Sequence, residues 1–300
     1  MLNFMRYRWV YFVISSLIIV PGIFSLVKFG LKPGIDFTGG TLIEIKLEKA
    51  EGNVSEEVKQ TISPQGGEVG SVQNTDQGTY IIRMKPIEQV AYEKIKTELG
   101  NKYGAIEEIR FETVGPSLGQ ELLRKTGIAA ILAIGGILFY IAWAFKNVRY
   151  GISAIIALAH DLLVVVGIFS LLGKYMGVEV DSLFVTALLT TMSFSVHDTI
   201  VVFDKIREHM KKRSGETFAE QINLALTETM GRSLNNSLTI IFMLLALFLL
   251  GGESIKWFVL ALLIGTISGT YSSPFVATPI LFIWNELTTR KIRKFYKLFF

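Results

Sequence analysis

"TTMSFSVHDTIVVFDKIRE", residues 190–208, decides how the chain must be read. From Ser182 to Val196 there is no charged residue. His197 and Asp198 then break the run, and five uncharged residues follow before Asp204. A segment this long and apolar is predicted to cross a bilayer as a helix. An acid inside it costs about 2.5–3.5 kcal/mol on insertion scales, so it needs a reason to be there.

The rest of the chain follows the same pattern. Of 300 residues, 50% are hydrophobic and 19% charged, below the roughly 25% of soluble domains. Uncharged apolar runs cover Trp9–Val27, Thr126–Phe145, Ser233–Gly252 and Trp257–Asn285. Gly151–Gly173 is interrupted only by His160-Asp161, and Ser182–Phe203 only by His197-Asp198. The reading is a polytopic α-helical membrane protein with six transmembrane helices.

Charge distribution predicts orientation. With the N-terminus cytoplasmic, the inner segments 1–8, 146–150, 204–232 and 286–300 hold 15 Lys and Arg, against Lys174 and Lys256 in the two short outer loops. The positive-inside rule then places both termini in the cytoplasm. There is no cysteine, hence no disulfide. The first helix follows a short basic start and is expected to be retained as an anchor, with no convincing small-x-small cleavage site after it.

Four segments are expected: 1–29, the N-terminus and first helix; 30–125, an extracytoplasmic domain; 126–285, helices 2–6 with a cytoplasmic loop at 204–232; and 286–300, a basic tail. In the second, "GGTLIEIKLE" (39–48) alternates as a strand does. "SEEVKQTIS" (55–63) reads as a helix with Ser55 at its N-cap. "EVGSVQNT" and "TYIIRMK" (68–75, 79–85) form a hairpin, "PIEQVAYEKIKTELG" (86–100) has the Pro and Gly punctuation of a helix, and "AIEEIRFETV" (105–114) is a last strand. That order, βαββαβ, is the ferredoxin-like α+β arrangement. In the inner loop, Thr217 and Glu220 fit a capping box, with Phe218, Ile222, Leu226 and Met230 on one face of an amphipathic helix lying against its own membrane domain or docking a partner. The tail "RKIRKFYKLFF" is expected on the inner leaflet, in contact with lipid rather than nucleic acid.

His-Asp occurs twice, both times within a span, and uses two of the three histidines. Thr191, Ser195 and Asp198 share one helical stripe, with Thr190, Ser193 and His197 beside it. Together they form a polar face able to hold water or pass a proton. Asp198 lies six residues, roughly 9 Å, inside Asp204. Arg232, before the fifth span on the same side, is the available counter-charge. A carboxylate out of water holds its proton more tightly, and an approaching guanidinium loosens it. Asp198 and Arg232 therefore read as a proton relay, with His197 a possible participant and Asp161 a second station. Sodium is an alternative coupling ion, bound through Asp198 and the Ser and Thr hydroxyls. No metal-ligand spacing, HExxH or P-loop order is present, so neither cofactor nor metal is expected, nor is an enzyme. Gly265, Gly269 and Ser273 read as a helix-packing seam.

"GIDFTGGT" (34–41), "VGPSLGQELLRK" (114–125) and "SFSVHDTIVVFDKIRE" (193–208), in that order, resemble the SecF branch of the SecD/SecF protein-export family, within the resistance-nodulation-division superfamily. The resemblance covers essentially the whole chain. It implies a heterodimer with SecD at the SecYEG translocon of the cell inner membrane, with YajC and SecA as further partners and unfolded exported polypeptides as clients. It also implies that proton flow promotes late export, with Asp198 as the essential acid and Arg232 as its arginine. An exporter of small molecules or lipid from the same superfamily is the alternative. An intramembrane aspartyl protease using Asp161 and Asp198 lacks the Gly-x-Gly-Asp-like context it would need.

Overall fold

The computed structural model describes residues 3–48, 54–62, 68–74, 78–145, 147–212 and 215–299, with the backbone alone at 54, 253 and 290–299. The expected turn at Asp76-Gln77, Lys146, Arg213 and the side chains of the basic tail lie outside the described residues. The chain divides into two compact units, Pro33–Ile128 and the remainder.

The smaller unit opens with a short helix α2, Ile35–Thr38, and then runs β1 (Gly40–Leu47), α3 (Val54–Ile62), β2 (Val69–Asn74), β3 (Thr79–Met84), α4 (Gln89–Tyr103) and β4 (Ile106–Val114). The sheet order is β2-β3-β1-β4 and every neighbouring pair is antiparallel. Alternation in β1 and β3 sends Ile43, Ile45, Leu47, Tyr80, Ile82 and Met84 to one face, against Val58 and Ile62 of α3 and Tyr92, Ile95 and Leu99 of α4. The other face is polar: Thr79 Oγ1 donates to the buried Glu44 at 3.0 Å, and Arg110 donates two bonds of 2.7 Å to Glu112. Between the helices, Lys102 and then Tyr103 bond to Glu57 and hold its carboxyl below the ordinary range.

The sharp entry into β1 needs two glycines. Gly39 and Gly40 have φ of 73° and 139°, which side chains rarely adopt. A Cβ on Gly39 would lie 2.9 Å from the Pro116 Cα, and one on Gly119 would lie 2.8 Å from the Gly39 N. The helix starting at Pro116 is thus seated directly on the Gly-Gly turn.

The larger unit is helical. After a 3₁₀ turn, Phe4–Tyr7, come α1 (Arg8–Phe29), the membrane part of α5 (Pro116–Ala144), α6 (Val148–Met176), α7 (Ser182–Lys212), α8 (Phe218–Leu250) and α9 (Glu253–Ser272). A π turn at Ser273–Ala277 leads into α10, Thr278–Phe299. Pro274 has no N–H to give, and the ladder widens by one residue there. Among the described residues, six helical segments are long and apolar enough to cross a membrane, the last being Ser254–Thr289 with the π turn inside it. The chain is a multi-pass membrane protein.

Two boundaries differ from expectation. Residues 204–232 are not a loop with a separate amphipathic helix, because α7 continues to Lys212 and α8 begins at Phe218, ahead of the membrane-crossing run. The expected Thr217–Glu220 capping box is present and starts α8 itself. Nothing after Met230 breaks the helix, so the amphipathic stretch and the span are one rod. Likewise α5 starts about ten residues before its apolar run, at Pro116, a residue suited to a first turn.

The smaller unit has a closed core of its own. Residues 33–125 expressed alone are therefore expected to show mixed α/β circular dichroism and one cooperative unfolding transition. Ile82, fully buried at the sheet centre, is expected to cost about 2–5 kcal/mol when changed to Ala, measured by urea denaturation.

Candidate functional site

The site lies where α6, α7 and α9 meet. Glycines on α9 allow that approach. A Cβ on Gly265 would collide with the Thr191 side chain, and one on Gly269 would come within 3.2 Å of the Ser195 Cβ. The seam read from the sequence is therefore a helix contact between α9 and α7. On the far side of α6, Gly22 of α1 meets Gly167 as closely, with a Cβ at either position 3.0 Å or less from the opposing backbone.

This packing encloses Asp161, 4% exposed. Its Oδ2 accepts from Ser195 of α7 and Ser272 of α9, each at 2.6 Å. Its Oδ1 accepts from Ser268 of α9 at 2.6 Å and pairs with His160 Nδ1 at 3.0 Å. The other ring nitrogen, His160 Nε2, lies 3.0 Å from the Ser15 Oγ on α1. Every member of this chain is buried.

Asp198, one turn beyond Ser195 on α7, is 9% exposed and far less well supplied. Its Oδ1 accepts from Ser233 of α8 at 2.6 Å. Its Oδ2 is buried with no hydrogen-bond partner among the described residues. Beside it, Thr199 and Ser273 share a bond of 2.8 Å. Two acids on neighbouring helices thus occupy opposite conditions, one saturated with donors and one half-satisfied.

The other expected residues fall as follows. Ser195 serves Asp161 rather than Asp198. Thr191 bonds back to the Leu188 carbonyl at 2.9 Å and otherwise packs on Gly265. His197 is exposed and makes no hydrogen bond among the described residues. Arg232 is exposed too and is not brought to Asp198; the neighbouring Ser233 is the residue that meets it. A step of one residue turns a helix by about 100°, which separates the two side chains. Thr186, Thr190, Ser193 and His197 form an exposed polar stripe along α7, and Arg232, Asn235, Asn236 and Thr239 form another on α8.

Sequence reasoning missed His160 as a ligand of Asp161, and missed Ser15, Ser268, Ser272 and Ser233. The spacing of Ser268 and Ser272, one helical turn apart in an apolar span, was the available signal. Ser15 and Ser233 carry none, because their role depends on which helix passes beside them.

The fold and buried acids define a multi-pass helical membrane protein with an intramembrane ionisable centre and a small α/β unit inserted after its first span. The family model for the C-terminal part of protein export membrane proteins SecD/SecF matches residues 94–287, and the SecD/SecF GG motif matches residues 24–51. The protein translocase subunit SecF of Thermobaculum terrenum is 49% identical over 302 residues, 95% of each chain. The protein translocase subunit SecDF of Bacillus subtilis is 34% identical, covering 96% of this chain and 39% of its own length. Among solved structures, SecDF from Thermus thermophilus, a translocon-associated membrane protein, superposes with a TM-score of 0.83 at 30% identity, over 95% of this chain and 39% of that one. The chain belongs to the SecD/SecF family of protein export membrane proteins. Its function is that of a protein translocase subunit.

The packing makes a direct test possible. Gly265→Val would drive a branched side chain into Thr191 and part α9 from α7, withdrawing Ser268 and Ser272 from Asp161. The expected result is a lower thermal midpoint in detergent, by several degrees or more. Gly127→Val, where a Cβ meets nothing within 4 Å, is expected to leave the midpoint unchanged.

Proposed function

We propose that this chain is one half of a proton-driven export motor of the inner membrane, working with a SecD half to promote late steps of polypeptide export. The observation that carries the reading is Asp198: a carboxyl inside a span, with one oxygen held by Ser233 and the other, buried Oδ2, without a partner. An ionised oxygen in that condition is costly, and a proton on it would remove the buried charge. Proton arrival and departure therefore change which neighbours Asp198 can hold.

The SecD-type partner is supported by the exposed polar stripes on α7 and α8. Threonine, serine, histidine, asparagine and arginine side chains facing acyl chains are unfavourable, and a second helical bundle would cover them. In that assembly Arg232 gains a partner, and a turn of α8 that carries it toward Asp198 in place of Ser233 would set when Asp198 ionises. SecYEG, YajC and SecA are the proposed surroundings, with both chain ends on the cytoplasmic side. The strand order and the two helices on one sheet face support a ferredoxin-like reading of the α/β unit. Its polar sheet face is the proposed surface for the SecD domain or an unfolded client.

One elementary charge crossing the membrane contributes about 2.3 kcal/mol per 100 mV, enough to bias a conformational step, so each client needs several cycles. Asp198→Asn keeps the size and the Ser233 contact while removing titration. It is expected to assemble with SecD, yet to lose the gradient-dependent part of export at least tenfold in inverted vesicles. Arg232→Ala is expected to do the same, and His197→Asn to retain most activity. Wild-type export by Asp198→Asn under a full proton gradient would refute the coupling.

Orientation has a separate test. The chain has no native cysteine, so Glu88→Cys and Lys212→Cys each carry a single thiol. An impermeant maleimide added outside intact cells is expected to label the first and not the second. The reverse pattern would overturn the proposed topology.

A further inference from the structure

We infer that Ser273 is a positioning residue for Asp198, its hydroxyl set by the π turn to pair with the unpartnered Oδ2 both before and after proton exchange. The inference rests on the proton-coupled reading above. It gives a polar role to a residue that the sequence marked only as part of a packing seam.

Position comes first. Ser268 and Ser272 lie one turn apart on α9, and both donate to Asp161. Ser273 is the next residue, and a step of one residue turns a helix by about 100°. Its hydroxyl leaves the Asp161 side and meets Thr199, the neighbour of Asp198 on α7, at 2.8 Å. Consecutive serines are thus divided between the two acids. The π turn pins this division. The Ser273 carbonyl accepts from the Thr278 N–H, five residues on, and from the Thr278 hydroxyl at 2.9 Å. Ser273 and Thr278 are both fully buried.

The chemistry follows from what each oxygen already holds. Asp198 Oδ1 accepts from Ser233 at 2.6 Å, while Oδ2 is buried with no hydrogen-bond partner among the described residues. The Ser273 hydroxyl lies close to the carboxyl group without closing a hydrogen bond to Oδ2. Nothing binds it firmly elsewhere. Its contact with the Gly269 carbonyl is long, at 3.4 Å, and the Thr199 hydroxyl can donate to it as readily as accept from it. A turn of the Ser273 side chain toward Oδ2 needs only that Thr199 become the donor.

A hydroxyl serves both states of the acid, because it can donate and accept. With Asp198 ionised, Ser273 donates to Oδ2. With Oδ2 protonated, the carboxyl O–H donates to the Ser273 oxygen, and Ser273 in turn donates to Thr199 or to the Gly269 carbonyl. Around this point α6 carries the His160–Asp161 pair, α7 the exposed His197 and α8 the exposed Arg232, while Ser273–Ala277 carries no titratable residue. Among the described residues no lysine, arginine or histidine hydrogen-bonds to Asp198, so the acid depends on hydroxyl groups.

The experiment uses the chain in its complex with the SecD half, reconstituted in lipid. Infrared difference spectra between acid and alkaline pH display the carboxyl stretch of protonated Asp198, assigned by its loss in Asp198→Asn. Ser273→Ala is expected to move that band to higher frequency, as a carboxyl group losing a hydrogen bond does. The same variant is expected to lower gradient-driven export about tenfold. Thr288→Ala, on α10 where the hydroxyl serves only the Trp284 carbonyl, is expected to leave band and export unchanged.

An Asp198 band that stays in place in Ser273→Ala, or one that moves as far in Thr288→Ala, would overturn the inference. So would wild-type export by Ser273→Ala. If Ser273→Ala does not assemble, Ser273→Cys keeps nearly the same volume with a weaker donor, and the same band shift is required of it. Failure here is distinct from failure of the coupling reading. In the first case Asp198→Asn is inactive while Ser273→Ala changes neither band nor export; in the second, Asp198→Asn exports like wild type, and both ideas fall.

Discussion

The carboxylate of Asp161 ties four helices together, and the helical unit is arranged around that fact. Three serine hydroxyls and an imidazole converge on it from α6, α7 and α9, and the imidazole carries the connection on to α1 through Ser15. A carboxyl group so far from water is tolerated only when its oxygens are hydrogen-bonded. Filling them requires α9 to approach α7 at near-backbone distance, which accounts for glycine at 265 and 269. It also requires α1 to lie flat on α6, which accounts for the Gly22–Gly167 crossing. The small residues and the acid are two sides of one requirement.

Against this saturated centre, Asp198 stands out by contrast. It shares a helix stripe with Ser195 but looks toward α8, where Ser233 donates to one oxygen at 2.6 Å, with the Ser273 hydroxyl close by. A fully satisfied acid rigidifies its surroundings, while a half-satisfied acid responds to a proton or an approaching cation. The proposed motor would use both: a fixed anchor at Asp161 and a variable contact at Asp198. Ser195, which donates to Asp161, and Asp198 lie one turn apart on α7, so that helix joins the two sites.

The membrane itself explains the remaining surface. α5 and α8 bury only 6% and 11% of their apolar windows, against 50% for α6 and 61% for the last span. Leucines and phenylalanines on such helices need no protein cover, because acyl chains are as apolar as they are. Arg232, Asn235 and Asn236 on α8 do need it, and so do the hydroxyls along α7. The chain spans about two fifths of the fused SecDF proteins it resembles, and a second helical bundle is the proposed cover for those polar stripes.

The sequence by itself determined what hydrophobic periodicity and charge can encode. It fixed the number of spans, the βαββαβ order, the capping box at Thr217 and the packing role of Gly265 and Gly269, because each is a local property of a few neighbouring residues. It also marked both acids as exceptional, since a charge within an apolar run is visible without any structure. Which groups meet those acids could not be read along the chain. Arg232 and Ser233 are adjacent in sequence, yet a helix turns each to a different side, and only packing of α8 on α7 decided that Ser233 faces Asp198. Ser195 shares a stripe with Asp198 but bonds to Asp161, because α6 lies closer to that turn of α7. Partners more than 30 residues apart, such as His160 with Ser15 or Asp161 with Ser272, belong to the tertiary structure alone. Hydrogen bonds of this kind depend on interhelical position to within an ångström, a precision that no one-dimensional pattern carries.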